Sequence, residues 1–327
     1  MSRFDREGLR RFRARDAVLA VVLAAVLLVL LEGGSVLKAG DEMKPGIGRS
    51  AVLAVGHPSA DIARALPLAS VARAATGWLN PEPSLSGPGG FKTLGAGGQI
   101  PPVTPDAFTA EALGEPPPPK RALHTLLVTG DSMSMPLDSD LAEELAGRVR
   151  VDQDPHIGTG ISTTFVVDWG KLARAQVRAD HPSAVVVFIG ANDGFPMKGP
   201  EGREVACCSG AWAAIYADRV RQVMSTYRES GALVYWLTLP APREAARARI
   251  ARVVNAAIQV AAQPWAAQVH VVDTVGTFTP GFSYRDAMVI GGQPTIVRQA
   301  DGIHLNDAGS SLLAGIVQAR LAHDFRY

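Results

Sequence analysis

Ser132 follows Gly130-Asp131, Asn192 lies within Gly190-Ala191-Asn192-Asp193, and His304 closes Asp301-Gly302-Ile303-His304. A serine hydroxyl is a weak nucleophile until a base takes its proton, and an imidazole can serve as that base. The imidazole in turn needs a carboxylate to fix its tautomer and stabilise its cation. Asp301, three residues before His304, can fold back onto the ring Nδ1 from the same short turn. Acyl transfer also needs donors aimed at the oxyanion of its tetrahedral intermediate. Three candidates are the backbone N–H of Ser132, a backbone N–H from Gly158-Thr159-Gly160, and the side-chain amide of Asn192, with Gly160 preferred to Gly158. The chemistry these residues could do together is attack on an acyl ester, if the fold brings them to one place.

The elements that must do so begin after Lys120, where apolar runs of strand length alternate with helical patterns. The spacing predicts strands over 124–129, 148–152, 184–189, 232–239 and 270–274, and helices over 138–147, 168–179, 212–229, 243–262 and 307–323. Strands that are apolar on both faces and separated by helices read as an α/β domain with a parallel five-stranded sheet covered on both sides. In such sheets reactive groups collect beyond the carboxyl ends of the strands. Ser132 follows the first strand, the glycine block the second, Asn192 the third, and the Asp301/His304 turn lies in the loop after the fifth.

Gly-Asp-Ser after the first strand, Gly-x-Asn-Asp after the third and Asp-x-x-His before the last helix resemble the SGNH (GDSL-type) hydrolases. The family's marker serine, glycine, asparagine and histidine correspond here to Ser132, a glycine of the Gly158/Gly160 loop, Asn192 and His304, and Asp301 completes the triad. The resemblance covers about residues 122 to 324. In its details, including Gly-Thr-Gly-Ile, Asp168-Trp169 and Asp-Gly-Ile-His-Leu, the chain is similar to an envelope-associated bacterial branch of unknown function. The resemblance implies a flavodoxin-like three-layer α/β/α domain, no metal or other cofactor, and esterase, lipase or acetyl-transfer activity. Met133-Ser134-Met135 stands where a leucine is commoner after the serine, and the glycine block is the loosest match.

Other polar and aromatic residues have plainer uses. Ser134 is expected as a turn or capping hydroxyl, and Asp193 as a carboxylate holding its own loop by backbone hydrogen bonds. Trp212 and Tyr216, four residues apart, are expected to pack a helix onto the sheet, with walling the pocket as their other use. His156 is expected to be exposed and Arg298 to form a surface ion pair, with contact to an anionic or sugar group as its other use. The remaining histidines are scattered and make no metal-ligand pattern. Cys207 and Cys208 are the only cysteines, which excludes a disulfide framework; a vicinal ring, a bridge to another chain and a pair of small apolar residues all remain open.

Before the domain the composition changes. Residues 3 to 15 hold six arginines against Asp5 and Glu7, and 17–31 is an uninterrupted apolar run. Fifteen residues are short for a span of ~20, so 17–37 reads as a transmembrane anchor or a signal segment. A poor small-residue cleavage site before Gly40 favours an uncleaved anchor, its basic end cytoplasmic by the positive-inside rule. Residues 38–80 read as a partly helical stalk, and 81–120 as a linker, since ten prolines and seven glycines fall within 81–119. Its glycine clusters lack the Gly-Lys-Ser/Thr of a phosphate loop. A formal net charge of +1 gives no ground for a nucleic-acid partner.

These readings lead to an extracytoplasmic, membrane-anchored serine esterase or deacetylase acting on acylated carbohydrate of the cell envelope. An O-acyltransferase would use the same triad with a glycan acceptor. A glycan- or protein-binding module on a hydrolase scaffold is the reading from another class, opposed by the complete catalytic set. Oligomeric state is not legible in the sequence.

Overall fold

In the computed structural model, Ser50, Val52, Ala54 and residues 103–327 are described. The expected anchor (17–37), most of the stalk and the first part of the linker lie outside them. Among the described residues no helix is long and apolar enough to cross a membrane.

The domain is built on five strands: β1 (Thr125–Gly130), β2 (Arg150–Pro155), β3 (Ala184–Phe188), β4 (Leu233–Leu237) and β5 (Val269–Val272). They pair only in parallel, in the order β2-β1-β3-β4-β5. Five helices connect and cover them: α1 (Met135–Glu144), α2 (Trp169–Asp180), α3 (Gly210–Glu229), α4 (Ala245–Ala262) and α5 (Asp307–Asp324). Helices α2, α3 and α4 pack side by side, and α1 packs with α5, giving the two outer layers of an α/β/α sandwich. Every residue of β3 and of β4 is buried, as strands covered on both faces must be.

The predicted elements are found with ends shifted by a few residues. Helix α1 starts at Met135, three residues earlier than its pattern suggests, because Pro136 occupies the first turn, where its missing N–H costs nothing. Of these five helices, three are capped by the side chain immediately before them, Asp168 for α2, Ser209 for α3 and Asn306 for α5. Short pairings add what the pattern does not announce: the hairpin Met197–Lys198/Glu204–Val205, the hairpin Ala287–Ile290/Gln293–Ile296, and the parallel bridge of Arg121–Ala122 to Phe325–Arg326. Residues 105–107 form a 3-10 turn whose Asp106 carbonyl accepts the Ala267 N–H.

A buried polar network ties the sheet to its cover. Gln176 of α2 donates to Thr129 Oγ1 at 2.9 Å and to Asp154 Oδ2 at 2.8 Å, and Tyr227 of α3 donates to Gln176 Oε1. Such a network holds only when every member is satisfied.

The chain crosses from β1 to the Ser132 turn at Gly130, with φ +153°. A Cβ there would stand 2.0 Å from the Phe188 carbonyl oxygen, so β1 and β3 approach too closely for any side chain. Gly130→Ala is expected to cost about 3 kcal/mol and so lower the melting temperature by roughly 10 °C. A scanning-calorimetry shift below about 2 °C would show that the backbone relaxes around the methyl group.

Candidate active site

The blocks sit at neighbouring strand ends. Asp131 caps a short 3-10 turn, Ser132–Ser134, that leads into α1. Ser134 closes the turn, its N–H and hydroxyl both reaching the Asp131 carbonyl. Ser132 is left half-buried at the sheet edge, its Oγ 2.8 Å from His304 Nε2. His304 Nδ1 lies 2.5 Å from Asp301 Oδ2. The other oxygen of Asp301 accepts the N–H groups of Ile303 and His304, so the three-residue spacing does fold the carboxylate onto the ring. Burial works against the charge of Asp301. The Ile303 N–H and the His304 ring and N–H outweigh it and hold the carboxyl below its ordinary value.

That turn is held from the β4 end by a residue the sequence reasoning missed. Arg243 donates its backbone N–H to the Gly302 carbonyl and its Nη1 to the Ala300 carbonyl. Gly302 has φ +71°, and a Cβ there would meet the Arg243 Cβ at 2.6 Å. Arg298 departs from the expected surface ion pair. It is 3% exposed, donates from Nη2 to the Ala241 carbonyl and lies 5.4 Å from the Tyr284 ring centre. A planar guanidinium can be taken inside by an aromatic face and a carbonyl where an ammonium could not.

Two buried carboxylates organise the other side. Asp131 accepts Met133 N–H on one oxygen and the N–H groups of Gly190 and Ala191 on the other, all at 2.9 Å. The Asn192 amide stands 3.4 Å from the same oxygen and donates to the Thr159 carbonyl at 3.2 Å. Asp193 does not hold its own loop as expected. Its Oδ1 takes the N–H and hydroxyl of Ser162, at 2.7 Å each, and its Oδ2 takes the Tyr216 hydroxyl at 2.6 Å. It thereby fastens the glycine block to helix α3. Gly160 is buried against this carboxylate, whereas Gly158 is exposed in a turn with φ +74°.

One face of α3 does the fastening. Trp212 donates to the Phe195 carbonyl, Tyr216 to Asp193 and Arg219 to the Ile161 carbonyl, at positions spaced four and three apart on a helix. Trp212 and Tyr216 are fully buried and stacked, their ring centres 5.0 Å apart. His156 corrects another expectation. It is 7% exposed, packed edge-on against Trp169, with Nε2 3.1 Å from Asp154 Oδ1. Cys207 and Cys208 are joined as a vicinal disulfide just ahead of α3.

A cavity of about 30 Å³ lies against Met133 and Ile303, the chain neighbours of Ser132 and His304, and is lined also by Ala191, Asp193, Leu239 and Arg247 among others. A larger groove of about 750 Å³ runs along β5 between α4 and α5 and contains none of these residues.

Burial pushes the Asp131 carboxyl up from 3.8 to about 6, against the N–H groups of Gly190, Met133 and Ala191 and with help from the Asp193 charge. Between those values the folded chain keeps a proton that the unfolded chain has released. The contribution of Asp131 to stability therefore falls as pH rises through that window, by about 3 kcal/mol in all, and is level above it. The melting temperature of the wild type minus that of Asp131→Asn should accordingly decrease from pH 4 to 6.5. A difference that grows over this range would contradict the assignment.

No curated protein matches the chain. Among solved structures it is similar to the lipase/acylhydrolase from Enterococcus faecalis, with 17% identity, 61% of this chain and 95% of that chain covered, and a TM-score of 0.42. It is similar to TesA, with 25% identity, 61% and 98% covered, and a TM-score of 0.42. A carbohydrate esterase family 3 protein from Talaromyces cellulolyticus gives 18% identity, 61% and 97% covered, and a TM-score of 0.41. The profile of a family described as a protein of unknown function, DUF459, matches residues 125–320, and the chain belongs to that family.

Proposed function

We propose that the protein is a serine esterase that removes short acyl groups, acetyl above all, from carbohydrate esters. The observation that carries this reading is the unbroken chain Ser132 Oγ to His304 Nε2 to Asp301, at 2.8 and 2.5 Å. His304 takes the Ser132 proton as Oγ attacks the carbonyl carbon, and Asp301 stabilises the resulting imidazolium. The oxyanion is met by the N–H groups of Ser132 and Gly160 and by the Asn192 amide, whose second hydrogen has only the long contact to Asp131. His304 then returns the proton to the leaving alcohol oxygen, leaving an acyl group on Ser132. Water, deprotonated by the same imidazole, attacks the acyl carbon and releases the acid and the free serine.

The cavity supports a small acyl group. A water needs roughly 10–15 Å³ by this measure, so about 30 Å³ holds one or two atoms of methyl size. Most of its wall is apolar, with Asp193 and Arg247 the charged exceptions, and its Met133 and Ile303 flank Ser132 and His304 in the chain. The N-terminal arginines and apolar run support display of the domain outside the cytoplasmic membrane on an uncleaved anchor.

The full-chain protein should hydrolyse acetyl esters, and Ser132→Ala should lower kcat by roughly 10⁴-fold or more. Among p-nitrophenyl esters, kcat/KM should fall by at least ~10-fold from acetyl to octanoyl, because extra methylenes have no room. Equal rates on acetyl and octanoyl esters would place the acyl chain elsewhere. Unchanged turnover in Ser132→Ala would remove the esterase reading itself.

A further inference from the structure

The loops that carry Gly160 and Asn192 also carry two aromatic rings that the catalytic scheme leaves unused. Phe165 is 59% exposed and Phe195 46% exposed, and their rings meet edge to face with centres 6.0 Å apart. An exposed phenyl pair costs free energy in water unless something covers it. Neither ring is held out by chance. The Phe195 N–H donates to Ser162 Oγ and its carbonyl accepts Trp212 Nε1, so its backbone is fixed at both ends by groups that also fix the glycine block. Val166, the neighbour of Phe165, is bonded back to the Thr163 carbonyl and is 46% exposed beside it.

The strand order gives the pair its place. The small cavity lies between the loops following β3 and β4, where Ala191, Leu239 and Pro240 line it. Phe165 stands on the loop following β2 and Phe195 on the loop following β3, so the pair joins the two loops that flank β1 and its serine turn. The two substituents of an ester carbonyl point apart. With the acyl group in the cavity and the carbonyl oxygen at its donors, the alcohol half is left outside, over the rims of the loops that flank the serine turn. No acyl chain long enough to reach the rings can enter a cavity of about 30 Å³.

Resting on the esterase reading above, we propose that Phe165 and Phe195 form the binding platform for the alcohol half of the substrate, and that this half is a sugar ring. A pyranose presents a flat face of C–H groups, which suits the electron-rich face of an aromatic ring, while its hydroxyls stay in water. The platform is pre-assembled by the edge-to-face contact, so binding orders little that is not already ordered.

The test compares two acetyl esters with the full-chain protein, methyl 6-O-acetyl-glucopyranoside and ethyl acetate. Replacing Phe165 or Phe195 by alanine should lower the ratio of kcat/KM for the sugar ester over ethyl acetate by about 10-fold, mostly through KM. Phe165→Trp should keep or raise that ratio. Equal loss on both esters would mean that the rings merely support the fold, and an unchanged ratio would mean that they do not touch the alcohol; either overturns the proposal. A loss confined to acetyl esters of long alkyl alcohols would replace the sugar by a lipid and also overturn it. Saturation-transfer NMR with the same sugar ester on Ser132→Ala protein tests the platform without turnover. Transfer to the ring protons should vanish when both phenylalanines are replaced. Persistence of that transfer would refute the platform, whereas absence of hydrolysis by the wild type would refute only the esterase.

Discussion

Asp131 is fully buried, and an ionised carboxylate taken out of water must receive its hydrogen bonds from the chain itself. It collects them from the turn that bears Ser132 and from the loop that bears Asn192, through Met133, Gly190 and Ala191. Two segments sixty residues apart are thereby set against each other at the ends of β1 and β3. The close approach at Gly130 serves the same end, since Asp131 N–H also reaches the Phe188 carbonyl. The position of Ser132 relative to the Asn192 amide is a consequence of satisfying one buried charge.

A second carboxylate extends the arrangement. Asp193 joins the glycine block to α3 through Ser162 and Tyr216, and burial raises its pKa against those donors. Three side chains on one face of α3 then hold both loops, so displacement of that helix would move both candidate oxyanion donors together. The Asp301–His304 turn is independent of this cluster. It is assembled locally by the Asp301 turn and braced from the end of β4 by Arg243. Site geometry is thus split between a long-range part built on buried charge and a local part built on a three-residue turn.

This split explains what the sequence could reveal. The five strands and their order along the chain were legible because each is a short apolar run bounded by turn residues, and the blocks fall directly after them. The Asp301–His304 pairing was legible because its geometry depends only on local spacing. The duties of Asp193, Arg298 and Arg243 were not, because each is decided by a partner far away in sequence, and spacing carries no record of tertiary neighbours. The two short hairpins were missed for a related reason. Two to four residues give too few positions for an alternating pattern to stand out.

The central claim is that Ser132 is an activated nucleophile and not a surface hydroxyl. Intact-mass measurement of the full-chain protein after exposure to an ethyl p-nitrophenyl alkylphosphonate tests it most directly, because reaction requires a deprotonated serine beside its base. The account predicts a single phosphonyl adduct that maps to Ser132 and is absent from Ser132→Ala, with His304→Ala labelling at least ~100-fold more slowly. No adduct on folded wild-type protein, or an adduct on another residue, would contradict it.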